Sequence, residues 1–352
     1  MTAALRVLSP GLMTTVQDLG RVGYQHLGVP VSGALDPVSL RAANLLVGNA
    51  PGTAALEIAY QGPALAVEAD SVRVALAGGR APVEIVSQDG NGGSERLALL
   101  ESARLRRGQV VRIGALAGSA VLYLAVEGGF DIAPVLGSRS TYTRAAIGGI
   151  EGRALKAGDA IALKLAAAPE REERLLPSLD LAPPKRFRVI LGPQDDYFTQ
   201  AGIAALLNST YTVTPASDRM GMRLAGPVIA HAKGYNIVSD GIAPGSIQVP
   251  GNGLPIVLLA DRQTTGGYPK IATVISADMP ALGRLVPGSK VAFEAVDIEA
   301  AEAVARQLAA DLAAMPDRIV PARRGSVVDA SKLMGENLVS GMVDAREGSG
   351  GC

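Results

Sequence analysis

Cysteine and histidine are almost absent from the sequence. The chain has one cysteine, Cys352, and two histidines, His26 and His231. These numbers exclude a disulfide framework and a cysteine-based zinc site, and the HExxH helix of metalloproteases is absent. We therefore expect a reducing, cytoplasmic location.

Charge excess, aromatic residues and long apolar runs are also scarce. Lys and Arg total 33, as do Asp and Glu, so the formal net charge is +0. A nucleic-acid partner needs a basic surface, and single-stranded nucleic acid needs stacking aromatics, which form only 3% of the chain. The apolar runs are too short, or too interrupted by Pro and Gly, to span a bilayer. The sequence thus indicates no nucleic-acid partner and no membrane partner.

Turn-forming and aliphatic residues dominate what is present. The 352 residues include 42 Gly and 22 Pro, and 48% are hydrophobic. Short runs of Val, Leu and Ile bounded by Gly are typical of strands, and they recur in both halves. The pattern predicts a mainly β protein with some α-helix, long enough for two domains. Examples are VRVALAG (72–78), VVRIGAL (110–116), FRVILGP (187–193) and KVAFEAV (290–296).

Three helices are predicted between and after these strands. Asp36 followed by Pro37 is typical of a helix start, a second helix runs from about Asp195 to Leu207, and Asp297 caps a third. A stretch rich in charge and Pro separates the two strand blocks and predicts a linker. The predicted units are an N-terminal β-rich lobe (1–165), the linker (166–186), a C-terminal β-rich lobe (187–296), a helix (297–315) and a tail (316–352), which is either flexible or docks a partner.

The first of four polar, glycine-rich stretches runs from residue 9 to residue 37. Long loops in compact domains are usually either functional or disordered. We predict an ordered loop there, because its polar residues are mixed with Leu, Val and Met. Two interpretations are open: its polar side chains converge on a ligand, or Asp18 and Arg21 simply pair within a turn. The polar candidates are Gln17, Asp18, Arg21, Tyr24 and His26.

The second and third stretches, 136–159 and 216–227, are rich in arginine. Backbone N–H groups in Gly/Ser turns can form an anion-binding nest, and arginines add a fork for carboxylate or phosphate. This interpretation applies to the second stretch, for which the alternative is a surface loop with solvated arginines. In the third stretch, Asp218 and Arg219 belong to an N-terminal turn or a substrate clamp, and the alternative is a local ion pair. The arginines in the second stretch are Arg139, Arg144 and Arg153.

The fourth stretch, 239–270, is the richest. The apolar run PIVLLA (255–260) predicts a buried strand that presents polar residues on a glycine loop, where functional residues commonly lie. Backbone donors of the Thr-Thr-Gly-Gly run can bind an oxyanion, and Arg262 and Lys270 can hold a carboxylate. A hairpin with surface charges is the alternative. The polar residues after the strand are Asp261, Arg262, Gln263, Thr264 and Thr265.

These stretches resemble one known family over about residues 5–296. The sequence is similar to the KipA family, also called allophanate hydrolase subunit 2, the biotin-dependent carboxyltransferase family and the C subunit of 5-oxoprolinase. The resemblance implies that the two lobes are β-barrels likened to cyclophilin, and the C-terminal helix and tail predicted above follow them. The matching blocks are PGLMTTVQDLGR, GYQHLGVPVSGALDP, ALEIAYQGP, GSRSTYTRAAIGGIEGRALKAGD, LGPQDDYF, SDRMGMRLAGP, SDGIAPGSIQVP and ADRQTTGGYPKIATVISADMP.

The resemblance implies one component of an enzyme complex, inactive alone. The first expectation is an ATP-dependent 5-oxoprolinase that opens the lactam of 5-oxoproline to glutamate, using ATP with Mg. Its partners are a KipI-like chain and a LamB/YcsF-like chain, which form the other two subunits of the 5-oxoprolinase. The alternative is half of a carboxyltransferase that uses carboxybiotin on a partner chain and acts on urea or a related amide. A third interpretation is a regulatory antagonist of a KipI-like kinase inhibitor.

Candidate roles follow from the polar stretches and the resemblance together. The proposed catalytic group comprises Arg262 and Lys270 as anion contacts, with Asp18 or His26 moving protons. Thr264, Thr265 and Gly266 would contact the reacting oxygen. No metal-binding residues are predicted. The candidate substrate-binding residues are Gln17, Arg21, Tyr24, Ser32, Arg139, Arg219, Ser239, Asp240, Gln248, Gln263, Thr264, Thr265, Gly266 and Gly267.

Overall fold

The N-terminal half consists of two antiparallel sheets. The structure is a computed structural model and describes residues 3–89 and 93–322. A six-stranded sheet has the order β11-β1-β4-β9-β6-β7, and a five-stranded sheet has the order β2-β3-β10-β5-β8. The strands are β1 (Ala4–Ser9), β2 (Met13–Gln17), β3 (Ala55–Ala59), β4 (Ala64–Val67), β5 (Ser71–Arg80), β6 (Val83–Ser87), β7 (Glu95–Arg96), β8 (Ser102–Arg106), β9 (Gln109–Ile113), β10 (Ala117–Val126) and β11 (Ala160–Ala162).

Strand β10 shows why the five-stranded sheet is continuously apolar. Successive side chains point to opposite faces of a strand, and both faces of this sheet are covered. Leu122 and Leu124 enter the core between the two sheets. Tyr123 and Ala125 instead pack under helix α1 (Pro37–Leu46). A strand that is buried on both faces needs no polar alternation.

Helix α1 begins where the sequence predicts. The carboxylate of Asp36 accepts hydrogen bonds from the N–H groups of Val38 and Ser39 at 3.1 and 3.2 Å. Pro37 occupies the first turn, where it loses no hydrogen bond. The N-cap prediction is therefore confirmed.

The C-terminal half is built on a closed seven-stranded barrel. The strand order is β13-β20-β17-β18-β15-β14-β21, and parallel pairing of β21 with β13 closes it. The prediction of a mainly β chain with barrel architecture is thus confirmed. The barrel strands are β13 (Phe187–Leu191), β14 (Thr210–Val213), β15 (Gly221–Ala225), β17 (Ser246–Gln248), β18 (Ile256–Leu258), β20 (Lys270–Val274) and β21 (Lys290–Ala295).

Short elements complete this half. A two-stranded ribbon joins β16 (Asp240–Gly241) to β19 (Thr265–Gly266). The helix expected from about Asp195 to Leu207 is divided into a 3₁₀ turn at Asp195–Tyr197 and α2 (Gln200–Asn208). The hydroxyl of Thr199 accepts a hydrogen bond from the N–H of Gly202 and starts α2 anew. The single predicted helix is therefore wrong at its start.

The predicted linker and tail contact each other. Strand β12 (Arg174–Leu175) lies inside the linker and pairs with β22 (Val320–Pro321), which follows α4 (Ile298–Ala313). The predicted linker 166–186 thus contains a two-residue strand. Asp297 caps α4 as predicted, through a 2.8 Å hydrogen bond from Ala300. Residues 323–352, most of the predicted tail, lie outside the described residues.

The remaining helical elements and one loop also need description. A short helix, α3 (Met279–Gly283), follows β20, and the predicted loop at 9–37 contains strand β2. No described helix has both the length and the apolar composition needed to cross a membrane. The other 3₁₀ turns are Gln25–Leu27, Thr143–Ala145 and Met315–Arg318.

The two halves meet along helices α1 and α3. The Arg284 guanidinium lies 2.9 Å from the Asp36 carboxylate, and the N–H of Ala120 donates to the carbonyl of Arg284 at 2.7 Å. Gly283 approaches Leu35 so closely that an added Cβ would lie 2.3 Å from the Leu35 carbonyl oxygen. The loops that carry the candidate site come together at this contact.

Candidate functional site

A network of charged side chains joins the two halves. Arg219, just before β15, donates to both carboxylate oxygens of Asp261 at 2.8 and 3.0 Å. It also pairs with Glu57 of β3 and donates to the carbonyl of Gly33 at 2.7 Å. Burial alone would lower the pKa of Arg219, but the charges of Glu57 and Asp261 raise it above its usual value. The guanidinium is therefore a fixed cation between two carboxylates.

Two hydroxyl groups extend this network. Tyr123 donates to Glu57 at 2.5 Å, and burial followed by the Glu57 charge raises the pKa of Tyr123 well above its usual value. Ser32 donates to Asp261 at 2.5 Å and has a positive φ of 57°. A non-glycine residue in the left-handed region is strained and persists only where its surroundings hold it. Ser32 is thus fixed against Asp261.

Arg21 and Gln17 form the interior part of the first polar stretch. Arg21 is 1% exposed and donates to the carbonyl of Ser140. Its Nε and Nη1, and the Oε1 of Gln17, have no hydrogen-bond partner among the described residues. Burial lowers the pKa of Arg21, while Asp18 and Asp261 oppose this shift. The structure thus places two of the predicted substrate-binding residues together as buried groups with unused hydrogen-bonding capacity.

Asp18 is occupied by local hydrogen bonds. Its carboxylate accepts from the hydroxyls of Ser138 and Ser140 at 2.6 and 2.5 Å, and from the N–H groups of Arg139 and Gly20 at 2.6 and 2.8 Å. Burial by itself would raise the pKa of Asp18, but these bonds lower it below its usual value. This environment keeps the carboxylate ionised and disfavours a proton-transfer role. The alternative of a simple Asp18–Arg21 ion pair is not what forms.

A cavity of about 220 Å³ lies beside this network and contains Arg262. We call it the Arg262 cavity. Arg262 is 3% exposed and donates only to main-chain carbonyls, those of Ile242 and Leu259, at 3.2 and 3.3 Å. Burial lowers its pKa, and no carboxylate pairs with it among the described residues. The lining residues are Leu19, Val31, Ser32, Ala34, Leu35, Pro37, Pro244, Leu259, Ala260, Arg262, Ser276, Met279 and Pro280.

Lys270 is the first residue of β20, at the end of the loop region that follows β18. Its Nζ is buried and donates to the Asp240 carboxylate at 2.7 Å and to the carbonyl of Gly241 at 3.2 Å. The hydrogen bond from Lys270 lowers the pKa of Asp240. Since Arg262 donates to Ile242, both predicted cations hold the short segment 240–242. They differ in that Lys270 already has a carboxylate partner.

The predicted amide and glycine residues surround this segment. Gln263 donates to Gln248 at 3.3 Å, and an added Cβ on Gly266 would lie 2.7 Å from the Gln248 amide. The carbonyl of Thr264 accepts from Ile242 at 3.0 Å, and Thr265 pairs with Gly241 in the β16–β19 ribbon. Hydrogen bonds and close backbone contacts therefore link these residues around the 240–242 segment.

Several predicted residues lie apart from it. His26 is exposed on the Gln25–Leu27 turn and Tyr24 is half-buried at its start. Arg139 donates to the carbonyl of Ile132 at 2.6 Å. Ser239, in contrast, is exposed but adjoins the 240–242 segment, since a Cβ on Gly267 would come within 3.8 Å of its hydroxyl.

The other two predicted arginines make surface pairs. Arg144 meets Asp218 at 3.3 Å, so Asp218 pairs with Arg144 rather than with its neighbour Arg219. Arg153 binds Asp159 at 2.8 Å and Glu151 within its own loop. The surface-loop interpretation therefore describes these two arginines better than an anion nest.

Glu57 and Tyr123 are the network members that the sequence did not predict. Both lie within strands and are almost fully buried. The signal for Glu57 is a carboxylate inside the apolar run ALEIA (55–59). Tyr123 in VLYLAV gives no comparable signal, because a tyrosine suits a strand interior in any case.

Comparison with known proteins agrees with this architecture. A family model described as "Carboxyltransferase domain, subdomain A and B" matches residues 27–295, which include every part of the inter-lobe network from Ser32 to Lys270. The chain belongs to this carboxyltransferase domain family.

Named relatives and a solved structure extend this finding. The chain is 38% identical to the C subunit of 5-oxoprolinase from Escherichia coli (strain K12), over 84% of this chain and 93% of that protein. It is 31% identical to urea amidolyase of Saccharomyces cerevisiae, over 86% of this chain but 17% of that protein. The crystal structure of Kluyveromyces lactis urea carboxylase matches with a TM-score of 0.80 and 29% identity, over 91% of this chain and 30% of that chain.

These matches have different lengths. The carboxyltransferase-family chain spans nearly all of the bacterial subunit but less than a third of either fungal protein. One relative is named as a subunit of an enzyme, and the fungal proteins are named as enzymes. Both support a role as a component of an enzyme.

Proposed function

We propose that this chain is the C subunit of an ATP-dependent 5-oxoprolinase, which opens the lactam of 5-oxoproline to glutamate. The similarity to the bacterial C subunit supports this, because it covers 84% of this chain and 93% of the relative. In this proposal the chain acts with a KipI-like subunit and a LamB/YcsF-like subunit, and has little activity alone.

The observation that carries the proposal is the unneutralised charge of Arg262. A buried cation without an anionic partner is costly, and the cost falls when a carboxylate binds. Arg262 lies in a cavity of about 220 Å³, which suits a small ring. 5-Oxoproline is a five-membered lactam that carries one carboxylate, and a guanidinium can hold a carboxylate through two hydrogen bonds.

The other residues then take roles according to their partners. Lys270 is paired with Asp240 at 2.7 Å, so we assign it to holding the 240–242 segment rather than to the substrate carboxylate. Ser32 and Ser276 line the same cavity, and the Ser32 hydroxyl is held by Asp261. Gln248 and Gln263 bond to Tyr268 and to each other, so we assign them to holding the loop beside the cavity. His26 is exposed and would reach the reaction only through an assembled complex.

ATP and magnesium belong to the whole complex in this proposal. Among residues 3–89 and 93–322, no group of three or more His, Cys, Asp or Glu side chains lies together as a metal ion would require. The residues present do not form a self-contained magnesium site, so we derive no step through ATP or through carboxybiotin on this chain.

The deciding experiment measures ATP hydrolysis by the chain co-purified with its KipI-like and LamB/YcsF-like partners. We expect 5-oxoproline to stimulate hydrolysis only when all chains are present. A stable complex whose rate of ATP hydrolysis is unchanged by 5-oxoproline would contradict the proposal.

A second candidate function is half of a carboxyltransferase acting on urea or a related amide. The similarity to urea amidolyase and the TM-score of 0.80 to urea carboxylase favour it. The same complex would then consume carboxybiotin when urea is supplied and would not respond to 5-oxoproline. Regulatory antagonism of a KipI-like inhibitor would leave both assays negative.

A further inference from the structure

A small cavity lies where β5 and β10 meet the chain that follows α3. It has a volume of about 180 Å³ and shares no lining residue with the Arg262 cavity. We call it the Arg80 cavity. Its walls contain three glycines and two arginines, Arg80 and Arg284, and no Asp or Glu. Sites for drug-sized ligands usually have roughly 300–1,000 Å³, so this cavity suits a smaller molecule.

An irregularity in the pairing of β5 with β10 opens the Arg80 cavity. The register shifts between the Ala117–Arg80 pair and the Leu122–Gly78 pair. Residues 118–121 of β10 thus lie opposite a single residue of β5. Such a bulge interrupts the ladder between two strands and redirects their side chains. The cavity lies beside the bulge, since Gly78 and Ala117 are among its lining residues.

Arg80 brings an unpaired cation to this cavity. Its side chain is exposed and makes no ion pair and no hydrogen bond within residues 3–89 and 93–322. The guanidinium lies over the bulge, because a Cβ added to Gly118 would come within 3.6 Å of the Arg80 Nη2. Gly118 has a φ of 74°, which favours glycine. The N–H donors of the Arg80 guanidinium are therefore available to a ligand.

Arg284 forms the buried side of the cavity. It is 8% exposed, and its Nη2 donates to the carbonyl of Leu181 at 3.1 Å. Its Nη1 lies 2.9 Å from the Asp36 carboxylate but has no hydrogen-bond partner among the described residues. The charges of Arg284 and Asp36 compensate each other, so the cavity retains the single positive charge of Arg80.

We propose that the Arg80 cavity binds the carboxylate of a small, singly charged organic acid. The carboxylate lies between the guanidinium groups of Arg80 and Arg284. A short apolar chain packs against Leu181 and Leu285, which also line the cavity. One negative charge balances that of Arg80, whereas a doubly charged phosphate would leave an uncompensated charge in a partly enclosed site. The inference goes beyond the proposed function and does not rest on it.

The test uses butyrate as the probe and the intact chain as the protein. Isothermal titration and ligand-observed NMR should give saturable binding, with a Kd of about one millimolar for a ligand of this size. Butyramide has nearly the same shape without the charge, and inorganic phosphate has charge without the apolar chain. Both should bind about tenfold or more weakly than butyrate. Each titration is repeated with the Arg262→Gln variant, which removes the other candidate anion site.

Three variants locate the binding. Arg80→Gln removes the unpaired charge at an exposed position and should weaken butyrate binding by about tenfold or more. Arg112→Gln makes the same change at an exposed position of β9, outside the cavity, and should leave binding unchanged. Ala117→Leu, also at an exposed position, adds three carbon atoms to the cavity wall and should weaken butyrate binding by a similar factor.

Failure of this inference is distinct from failure of the proposed function. Butyrate binding that persists in Arg262→Gln and is lost in Arg80→Gln would support the inference, whatever the response of ATP hydrolysis to 5-oxoproline. Binding that is lost in Arg262→Gln and unchanged in a folded Arg80→Gln variant would place butyrate in the Arg262 cavity and overturn the inference. Absence of saturable binding, or binding of butyramide or phosphate as tight as that of butyrate, would overturn it as well.

Discussion

At the scale of single residues, the arginines of the site have different environments. Arg219 is held by two carboxylates, whereas Arg262 donates only to two main-chain carbonyls. The charge of Arg219 is therefore neutralised without a ligand, whereas the charge of Arg262 is not. Arg262 is therefore the residue at which loss of charge should affect substrate binding most directly.

Replacement of Arg262 tests this difference. In the assembled complex, Arg262→Gln should raise the KM for 5-oxoproline by about tenfold or more, because a charged fork to a carboxylate is lost. Arg306→Ala, which removes an exposed arginine on α4, is the matched control. Steady-state ATP hydrolysis measures the effect, and the melting temperature verifies folding. An unchanged KM in a folded variant would remove Arg262 from the site.

Asp18 predicts a pH-dependent contribution to stability. Its pKa is lowered in the folded state, so the ionised carboxylate stabilises the fold above its unfolded pKa of about 4. This stabilisation is lost as the pH falls through the lowered value. Asp18→Asn should cost about 1–3 kcal/mol near neutral pH, and the difference from the parent should shrink below about pH 4.

Urea unfolding at several pH values measures this difference. The exposed Asp131→Asn is the control and should show little change at any pH. A constant difference from neutral to strongly acid pH would mean that shape rather than charge explains the cost at Asp18.

At the scale of elements, alanines set the distance between α1 and the five-stranded sheet. Ala77 of β5 and Ala125 of β10 lie on the face beneath the helix, while Leu76 and Leu124 lie on the opposite face. Small residues let the helix approach the sheet, and the helix carries Asp36 and Leu35 at its start. The spacing of this layer therefore fixes the contact between the halves.

Enlarging one of these alanines should separate the layers. Ala77→Leu inserts three carbon atoms into a fully packed interface and should lower the free energy of unfolding by about 1–3 kcal/mol. Ala303→Leu on the exposed side of α4 is the matched control. Urea denaturation followed by circular dichroism measures both. Equal stability of the two variants would show that α1 can move away from the sheet at little cost in free energy.

At the scale of the whole molecule, the chain returns to its first half after the barrel. Met315 is 2% exposed and belongs to the same apolar cluster as α1, Leu176 and Tyr123. Strand β22 then pairs with β12, and the N–H of Ala322 donates to the carbonyl of Glu173 at 2.8 Å. A residue at the end of the described chain thus supports the N-terminal lobe.

Truncation of Met315 should reveal this dependence. Met315→Ala should cost about 2–5 kcal/mol and should lower hydrogen-exchange protection in α1 as well as around residue 315. Val320→Ala, at an exposed position of β22, should have a small effect. If protection falls only in the C-terminal half, the two halves are less strongly coupled than their shared cluster implies.

Local features of this molecule follow from sequence, and long-range ones do not. The start of α1 is readable because Asp36 and Pro37 act within one turn. The polar loop after β18 can be predicted from the sequence, because a short apolar run there is followed directly by polar residues and glycines. The pairing of Glu57 with Arg219 spans 162 positions and depends on how the halves meet. The hydrogen bonds that hold the Asp18 carboxylate likewise come from Ser138 and Ser140, which lie more than a hundred positions away in the sequence.

The β12–β22 pair makes the C-terminal barrel an insertion within the N-terminal half. Strand β1 and strand β22 are both anchored to that half, so a mechanical load applied between residues 4 and 322 would act first across the N-terminal lobe. The barrel would remain outside the path of the force until β22 peels away. In an optical-tweezers experiment, the barrel's extension would therefore appear only after that first rupture.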